Sequence, residues 1–156
     1  MSLHLRHADP AEYDHLKEMI IDAFEPITWQ KTADERFGLM NGLDWRERWR
    51  LQLEKSFDAR IILVGELESA VVACATGVYD EATAMGFIDI LAVASQHQGK
   101  GLGRSMLRGM MRHFKAMGAV YAHLDCLTTN EVGNRLYASE GFEEGMRSIR
   151  WIRKIP

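Results

Sequence analysis

A glycine-rich turn constrains this chain more than any other feature of its sequence. Gly99, Gly101 and Gly103 follow the strand-like run Met85–Val93 and open an amphipathic helical pattern. Glycine lets the backbone approach a ligand closely and adopt positive φ. The first N–H groups of a helix lack internal acceptors, and the helix dipole favours negative charge there. A strand, a glycine turn and a helix start therefore predict an anion site, best suited to phosphate.

Two common phosphate-binding loops do not fit this turn. A Walker loop needs Ser or Thr after its lysine, whereas Gly101 follows Lys100. A dinucleotide-binding Gly-x-Gly-x-x-Gly pattern would need its third glycine at Arg104. The pattern present is Gln/Arg-x-x-Gly-x-Gly/Ala, at Gln98, Gly101 and Gly103. By itself this short pattern leaves open a tight strand-to-helix turn that binds nothing.

Length and composition favour one ordinary globular domain. The 156 residues fit a single domain, 1–156. The net charge of −3 comes without a basic stripe, so we expect no nucleic-acid partner. The longest apolar runs, Ile61–Gly65 and Ala70–Gly77, are far shorter than a membrane span. No export signal follows Met1, so the default expectation is a cytoplasmic protein.

Helical and strand periodicities predict the first elements. Leu3–His7 alternates as a strand does, and Asp9 then offers a helix cap, with proline after it and glutamate three residues on. We expect Glu25–Asn41 to be irregular and a second helix to follow Asp44.

The rest of the chain alternates strands with two more helices. The helix behind the glycine turn has its apolar positions at Leu102, Met106, Leu107, Met110, Phe114 and Met117. A short helix is expected at Thr129–Ser139. The further strands are expected at Ile61–Glu66, Ala70–Tyr79, Met85–Val93 and Val120–Leu127, with one or two more within Phe142–Ile155. This order predicts an α/β fold with a central mixed, mostly antiparallel sheet of six to seven strands and helices on both faces.

A second motif, Asn130–Phe142, stands about thirty residues after the glycine turn. It resembles the Asn-x-x-Ala-x-x-Leu-Tyr-x-x-x-Gly-Phe hallmark of the GNAT superfamily of acyl-CoA N-acyltransferases, and the strand order resembles that fold from Leu3 to the end. The chain departs from the family pattern where Gly133 replaces the usual alanine, Ser95 a frequent proline and His97 a frequent aromatic residue. The resemblance implies a GNAT-like fold and acetyl-CoA as co-substrate.

The resemblance also assigns roles by position. The backbone groups of Leu91, Ala92 and Val93 are expected to pair with the pantetheine arm as an extra strand would. Asn130 is expected to reach the pantetheine or lie near it. Tyr137 matches the general acid that protonates the departing thiolate, although a packing tyrosine would occupy the same place. The pyrophosphate is expected on the N–H groups of Gln98, Gly99, Lys100, Gly101, Leu102, Gly103 and Arg104.

The sequence does not single out a general base. At pH 7 a lysine-like amine with a pKa near 10.4 must lose a proton, at a cost of about 4.6 kcal/mol. Asp89 is the first candidate because it lies two residues before Leu91, and several amine-acetylating relatives carry an acid in a similar place. A base that acts through ordered water would also serve, as would Glu25, Asp80 or Glu81 from flanking loops. A strand-edge carboxylate without a catalytic role is an equal alternative for Asp89.

The leading hypothesis is an N-acetyltransferase that moves the acetyl group of acetyl-CoA to a primary amine by direct attack. The acceptor is a small molecule or a protein, and the near-neutral charge favours neither. A non-catalytic acyl-CoA sensor on the same fold is the alternative, and O-acylation or a longer acyl donor also stays open. A homodimer is possible. The histidines and cysteines lack ligand spacing, so we expect no metal.

Overall fold

The computed structural model describes residues 2–156, which form two compact units that divide between Asp125 and Cys126. The strands are β1 His4–His7, β2 Ile61–Leu67, β3 Ala70–Asp80, β4 Met85–Val93 and β5 Tyr121–Leu124. The helices are α1 Tyr13–Phe24, α2 Trp29–Phe37, α3 Trp45–Ser56, α4 Leu102–Met117 and α5 Glu131–Ser139. The sheet and the first four helices belong to the first unit, and α5 belongs to the second.

The sheet is mixed and mostly antiparallel, as predicted. Its strands follow chain order from β1 to β5, antiparallel up to β4 and parallel between β4 and β5. The predicted count of six to seven strands is wrong, because the described residues form five. Phe142–Ile155 contains no strand. Alternation indicates which side chains would share a face, but a strand also needs hydrogen bonds from a neighbour.

Local capping signals have the geometry that the sequence predicts. The N–H of Ala11 donates to the Asp9 carboxylate (2.8 Å), and the N–H of Asp9 donates to the Glu12 carboxylate (2.8 Å), at the turn that leads into α1. Asp44 and Glu47 make the same reciprocal pair at the start of α3. These bonds satisfy backbone N–H groups that a helix start leaves without partners.

Helix α2 lies where the sequence led us to expect irregular chain, so that expectation is wrong. Thr28 caps it by accepting from the N–H of Gln30 (3.2 Å), and Gly38 (φ +80°) ends it. Tertiary contacts hold this polar helix. Asp34 accepts from the N–H of Trp45 (2.6 Å) and pairs with Arg48 (2.7 Å) of α3. Partners from another helix thus stabilise a segment with weak local signals.

Helices cover both faces of the sheet, as expected. Adjacent residues of a strand point to opposite faces. Val64 belongs to a buried cluster with Leu16 and Ile20 of α1, whereas a side chain added at Gly65 would meet the sulfur of Met106 in α4 at 2.8 Å. Helix α1 therefore lies on one face and α4 on the other.

The predicted apolar stripe of α4 is buried except at its end. Leu102, Met106, Leu107, Met110 and Phe114 are buried, whereas Met117 is 42% exposed. Gly118, with φ +105°, ends the helix directly after it. The last buried residue of the stripe, Phe114, therefore lies about one turn before the end of the helix.

Close packing of α4 on the sheet is testable at Gly86. A Cβ there would lie 2.4 Å from the buried ring of Phe114. Gly86→Ala should therefore lower the free energy of unfolding by about 1–3 kcal/mol in urea denaturation, as overpacking does. Gly145→Ala is the control, because an added Cβ there meets nothing within 4 Å. Adding Phe114→Leu to Gly86→Ala should recover part of the lost free energy of unfolding. A Gly86→Ala variant with the wild-type free energy of unfolding would contradict this packing.

Candidate active site

Strand β4 has two neighbours over only part of its length. Its pairing with β5 runs from Met85↔Tyr121 to Ile88↔Leu124. Its pairing with β3 continues to Val93, opposite Ala73. Within the described sheet, one edge of Leu91, Ala92 and Val93 therefore has no strand beside it. The residues expected to bind pantetheine lie on this open edge.

A β-bulge stands where the two strands part. Ile88 is opposite Gly77 and Ile90 is opposite Thr76, so Asp89 is the extra residue of β4. A bulge bends its strand and increases the local twist, and it can redirect a side chain. The bulge follows directly on the last β5 pair, at Ile88, and so marks the start of the open edge.

The Asp89 carboxylate is paired with a residue that the sequence did not indicate. The Nε of Arg60 donates to Oδ2 of Asp89 at 3.0 Å, and the two side chains are 27% and 30% exposed. Arg60 stands directly before β2, and 29 residues separate the pair. No local pattern could have found it. The ion pair fixes one carboxylate oxygen of the candidate base.

The glycine turn has the backbone conformation that the sequence predicts. Gly99 has φ +74° and Gly101 has φ +78°, a region that disfavours side chains. A Cβ at either position would meet nothing within 4 Å, so open space lies beside both. Gly101 is the N-cap of α4, and its carbonyl accepts from the N–H of Ser105 (3.2 Å). The N–H groups at the start of a helix lack acceptors within it, as an anion site requires.

Side chains of the turn tie it to the end of β4. The Gln98 amide donates to the carbonyl of Val93 (3.0 Å), and the Lys100 ammonium donates to the carbonyl of Gln96 (3.2 Å). Leu102 is buried in a small cluster with Val72 and packs on Val93. Arg104 lies exposed on the first turn of α4. The open edge and the glycine turn are thus one continuous, anchored segment.

Asn130 and its neighbours belong to the second unit, where they start α5. The side-chain oxygen of Asn130 accepts from the N–H of Gly133 (3.0 Å), which makes it the helix cap. A Cβ at position 133 would lie 2.6 Å from Nδ2 of Asn130 and 3.1 Å from Sγ of Cys126. Glycine here leaves room for the cap and the thiol, which explains the departure from the family's alanine.

The end of α5 fixes Tyr137. Gly141, directly after the helix end, adopts φ +86°. The N–H of Phe142 donates to the carbonyl of Tyr137 (3.0 Å), and the N–H of Gly141 donates to the carbonyl of Ala138 (3.2 Å). These bonds form the common glycine-terminated helix end, which brings an apolar contact with it. The rings of Tyr137 and Phe142 meet edge to face, with centroids 6.1 Å apart.

The phenol of Tyr137 holds its proton firmly. Burial, with a smaller contribution from the nearby Cys126, raises the pKa of Tyr137 to about 12. Burial also raises the pKa of the Cys126 thiol. Tyr137 therefore stays protonated at neutral pH, the state that a proton donor needs.

The sequence matches the family model described as Acetyltransferase (GNAT) family over residues 18–142. The match includes the open edge of β4, the glycine turn and the motif of α5. The chain belongs to the GNAT acetyltransferase family. Membership confirms the predicted enzyme class, an N-acetyltransferase.

Solved structures share the fold of this acetyltransferase at low sequence identity. The PaiA N-acetyltransferase of Thermoplasma acidophilum, in complex with coenzyme A, is 16% identical with a TM-score of 0.66, covering 92% of this chain and 91% of its own. An aminoglycoside N-acetyltransferase, AAC(6')-Iy, in complex with the bisubstrate analogue CoA-S-monomethyl-acetylneamine is 12% identical with a TM-score of 0.68, covering 99% and 100%. The ribosomal-protein-S18-alanine N-acetyltransferase of Escherichia coli is 16% identical with a TM-score of 0.68, covering 93% and 80%.

No curated protein sequence matches this acetyltransferase. Among the helices of residues 2–156, none has both the length and the apolar composition needed to cross a bilayer.

Coenzyme A binding tests the glycine turn of the acetyltransferase. Acetyl-CoA at a hundred times its Kd should add about 2.7 kcal/mol of stability, a rise of about 5–10 °C in melting temperature, whereas ATP and NAD should add none. Gly101→Glu should abolish the acetyl-CoA shift, because its side chain brings volume and negative charge to the open space at the turn.

The matched control is Gly38→Glu. Gly38 also has positive φ (+80°) and open space around it, so this variant has the same backbone strain and the same added charge far from the turn in sequence. It should keep the full shift with acetyl-CoA. Normal acetyl-CoA binding by Gly101→Glu would mean that the pyrophosphate binds elsewhere.

Proposed function

We propose that this acetyltransferase moves the acetyl group of acetyl-CoA to a primary amine by direct attack. The observation that carries the proposal is the open edge of β4, which continues into the glycine turn. Gln98 bonds the turn to Val93, the last residue of that edge. An extended amide-containing arm that ends in a pyrophosphate requires both surfaces in this order. Coenzyme A has that chemistry.

In this proposal the backbone binds most of the co-substrate. The N–H and C=O groups of Leu91, Ala92 and Val93 pair with the pantetheine amides, as an edge strand pairs with an added strand. The N–H groups of the turn and the dipole of α4 hold the pyrophosphate. Lys100, whose ammonium lies on the turn itself, adds positive charge. Asn130 contributes to the pantetheine site.

The reaction needs a neutral amine and a protonated leaving group. The amine nitrogen attacks the thioester carbonyl carbon, and the carbon–sulfur bond breaks. The nitrogen loses two protons in all, one before the attack and one as the amide forms. Tyr137 gives its phenolic proton to the departing sulfur and is later reprotonated from solvent. One proton is released for each acetyl group transferred.

We propose Asp89 as the group that takes the proton from the ammonium, directly or through water. Its bulge lies at the start of the open edge, and Arg60 fixes its Oδ2.

The proposed acceptor is the primary amine of either a small molecule or a protein. The structures with this fold include an aminoglycoside N-acetyltransferase and a ribosomal-protein-alanine N-acetyltransferase. A net charge of −3 favours a cationic acceptor only weakly and does not separate the two. A panel of amines assayed with acetyl-CoA by thiol release is the direct way to identify the acceptor.

Tyr137→Phe tests the general acid. The change removes one hydroxyl and keeps the ring that packs on Phe142, so stability and acetyl-CoA affinity should change little. The value of kcat should fall about 10²-fold while KM changes little, because the hydroxyl acts only as the thiolate leaves. We expect a small effect for a general acid, because a thiol with a pKa near 8.5 is already a fair leaving group.

Tyr121→Phe is the matched control, because Tyr121 is 72% exposed. It should retain the wild-type kcat. An unchanged kcat in Tyr137→Phe, measured on an acceptor found in the panel, would reduce Tyr137 to a packing residue.

Asp89→Asn tests the base. At pH 7 the variant should lose about 10²-fold or more in kcat/KM for the amine, the range expected for a lost general base. Its KM for acetyl-CoA should not change. As the pH rises toward the pKa of the free amine, the loss in kcat/KM should shrink, because more of the acceptor then binds as the neutral amine. A purely structural role for Asp89 would give a loss that does not depend on pH.

Glu81→Gln separates Asp89 from the alternative base in the β3–β4 turn. Glu81 is exposed in that turn, so its replacement should leave the pH profile of kcat/KM unchanged. If Glu81→Gln shows the pH-dependent loss and Asp89→Asn does not, the base is in the turn and the assignment of Asp89 is wrong.

A further inference from the structure

The Arg60–Asp89 ion pair uses only part of the hydrogen-bonding capacity of its two side chains. A single bond joins Nε of Arg60 to Oδ2 of Asp89 (3.0 Å). The terminal nitrogens of the guanidinium, Nη1 and Nη2, carry the rest of its N–H donors. Among residues 2–156 no acceptor bonds these donors, and no donor bonds Oδ1 of Asp89. The pair therefore presents both a guanidinium and a carboxylate oxygen to a ligand.

The ion pair spans β3 on the face of the sheet that α1 covers. Arg60 precedes β2 with extended backbone (φ −109°, ψ 149°), Asp89 belongs to β4, and β3 pairs with both strands. Ile62, two residues after Arg60, is buried in a cluster with Leu16 and Ile20 of α1. Side chains two residues apart in an extended chain share a face. At 27% and 30% exposed, the paired side chains stand at the margin of this cluster, where a small solute can reach them.

The ion pair also stands at the end of the proposed co-substrate site where acetyl transfer would take place. In that proposal the pyrophosphate lies on the glycine turn, which follows Val93, and the pantetheine arm runs from there along the open edge to Leu91. The acyl end of the arm then points toward the Asp89 bulge, where the open edge begins. An amine that attacks the thioester must therefore be held close to this ion pair.

We infer that the acceptor is an α-amino acid, with its carboxylate on Arg60 and its ammonium beside Asp89. This inference rests on the proposed function and names the chemical class of its acceptor. A single carbon atom separates the two charged groups of an α-amino acid, so both can meet a pair whose own charges are joined by one hydrogen bond. Each charge then lies beside its opposite. A guanidinium binds a carboxylate through two parallel N–H···O bonds, for which Nη1 and Nη2 are available.

The same ion pair disfavours the other classes of amine. A polyamine satisfies Asp89 but brings a second ammonium toward Arg60, whose charge repels it. The N-terminal amine of a protein carries an amide where the amino acid carries its carboxylate. Hydrogen bonds between two charged groups are roughly twice as strong as those between neutral groups. The carboxylate therefore distinguishes an α-amino acid from these alternatives.

The chemical step is the one described for the proposed function. Oδ1 of Asp89 takes a proton from the ammonium, the nitrogen attacks the thioester, and the products are an N-acetyl amino acid and the thiol of coenzyme A. Arg60 exchanges no proton, because a guanidinium stays protonated in proteins. It holds the carboxylate equally in the bound substrate and in the transition state, so its contribution belongs mainly to KM.

Matched acceptors test the class of acceptor. Each trio contains an α-amino acid, its amide and the amine without the carboxylate, such as leucine, leucinamide and 3-methylbutylamine, and further trios have aromatic, acidic and basic side chains. With acetyl-CoA, thiol release by the wild type should give a kcat/KM at least about tenfold higher for the acid of the preferred trio than for its amide or amine. Acetylation without this preference would overturn the inference and leave the proposed function standing. Acetyl-CoA binding without acetylation of any amine would overturn both.

Arg60→Gln tests the residue. The ratio of kcat/KM for the acid to that for the amine should fall about 10–10²-fold, mainly through KM for the acid, because the bond to a charged carboxylate is lost. A displaced Asp89 would affect both acceptors and cancel in this ratio. Arg60→Lys, which keeps the charge without the fork, should give an intermediate ratio.

Arg112→Gln is the matched control, because Arg112 is exposed on α4, which lies on the other face of the sheet. It should keep the wild-type ratio. If Arg60→Gln lowers kcat/KM equally for the acid, the amide and the amine, Arg60 only positions Asp89 and the inference is wrong.

Discussion

The parting of β4 from β5 after Ile88 is the constraint on which the proposed site depends. Beyond that point β4 keeps its hydrogen bonds to β3, so its backbone stays extended and fixed although its other edge is open. An edge held in this way pairs with a ligand at little further cost in backbone entropy. The same strand then delivers the chain into the glycine turn, which Gln98 ties back to Val93. One-sided pairing would therefore provide both the proposed binding edge and the start of the proposed anion site.

What could be predicted from the sequence is what has a local cause. Gly101 can be recognised because a helix start with positive φ demands glycine, and Asp44 because a capping box spans only a few residues. Helix α2 was missed because Asp34 stabilises it through partners in α3. The Arg60–Asp89 ion pair joins residues that are 29 positions apart in the chain, so no local sequence pattern indicates it. The prediction of strands within 142–155 was wrong, because alternating apolar and polar residues are compatible with an extended chain but do not show that another strand lies beside it to form hydrogen bonds.

The Asn130–Phe142 motif is explained largely by the construction of one short helix. Asn130 caps it, Gly133 leaves room for that cap, and Gly141 ends it with positive φ. Phe142 then packs on Tyr137. Nine residues of helix have little stability of their own, so both ends must be fixed if one side chain is to be held in place. None of these contacts, which cap, end or pack the helix, involves the hydroxyl of Tyr137.

The free stretch of β4 is limited at both ends, and these limits decide what could pair with it. It begins at the Asp89 bulge and ends at the glycine turn. A bulge interrupts regular pairing, so a long added strand would lose its register at Asp89, whereas a short arm with few amides would not meet the interruption. The two limits would thus favour a small extended ligand over another strand at this edge.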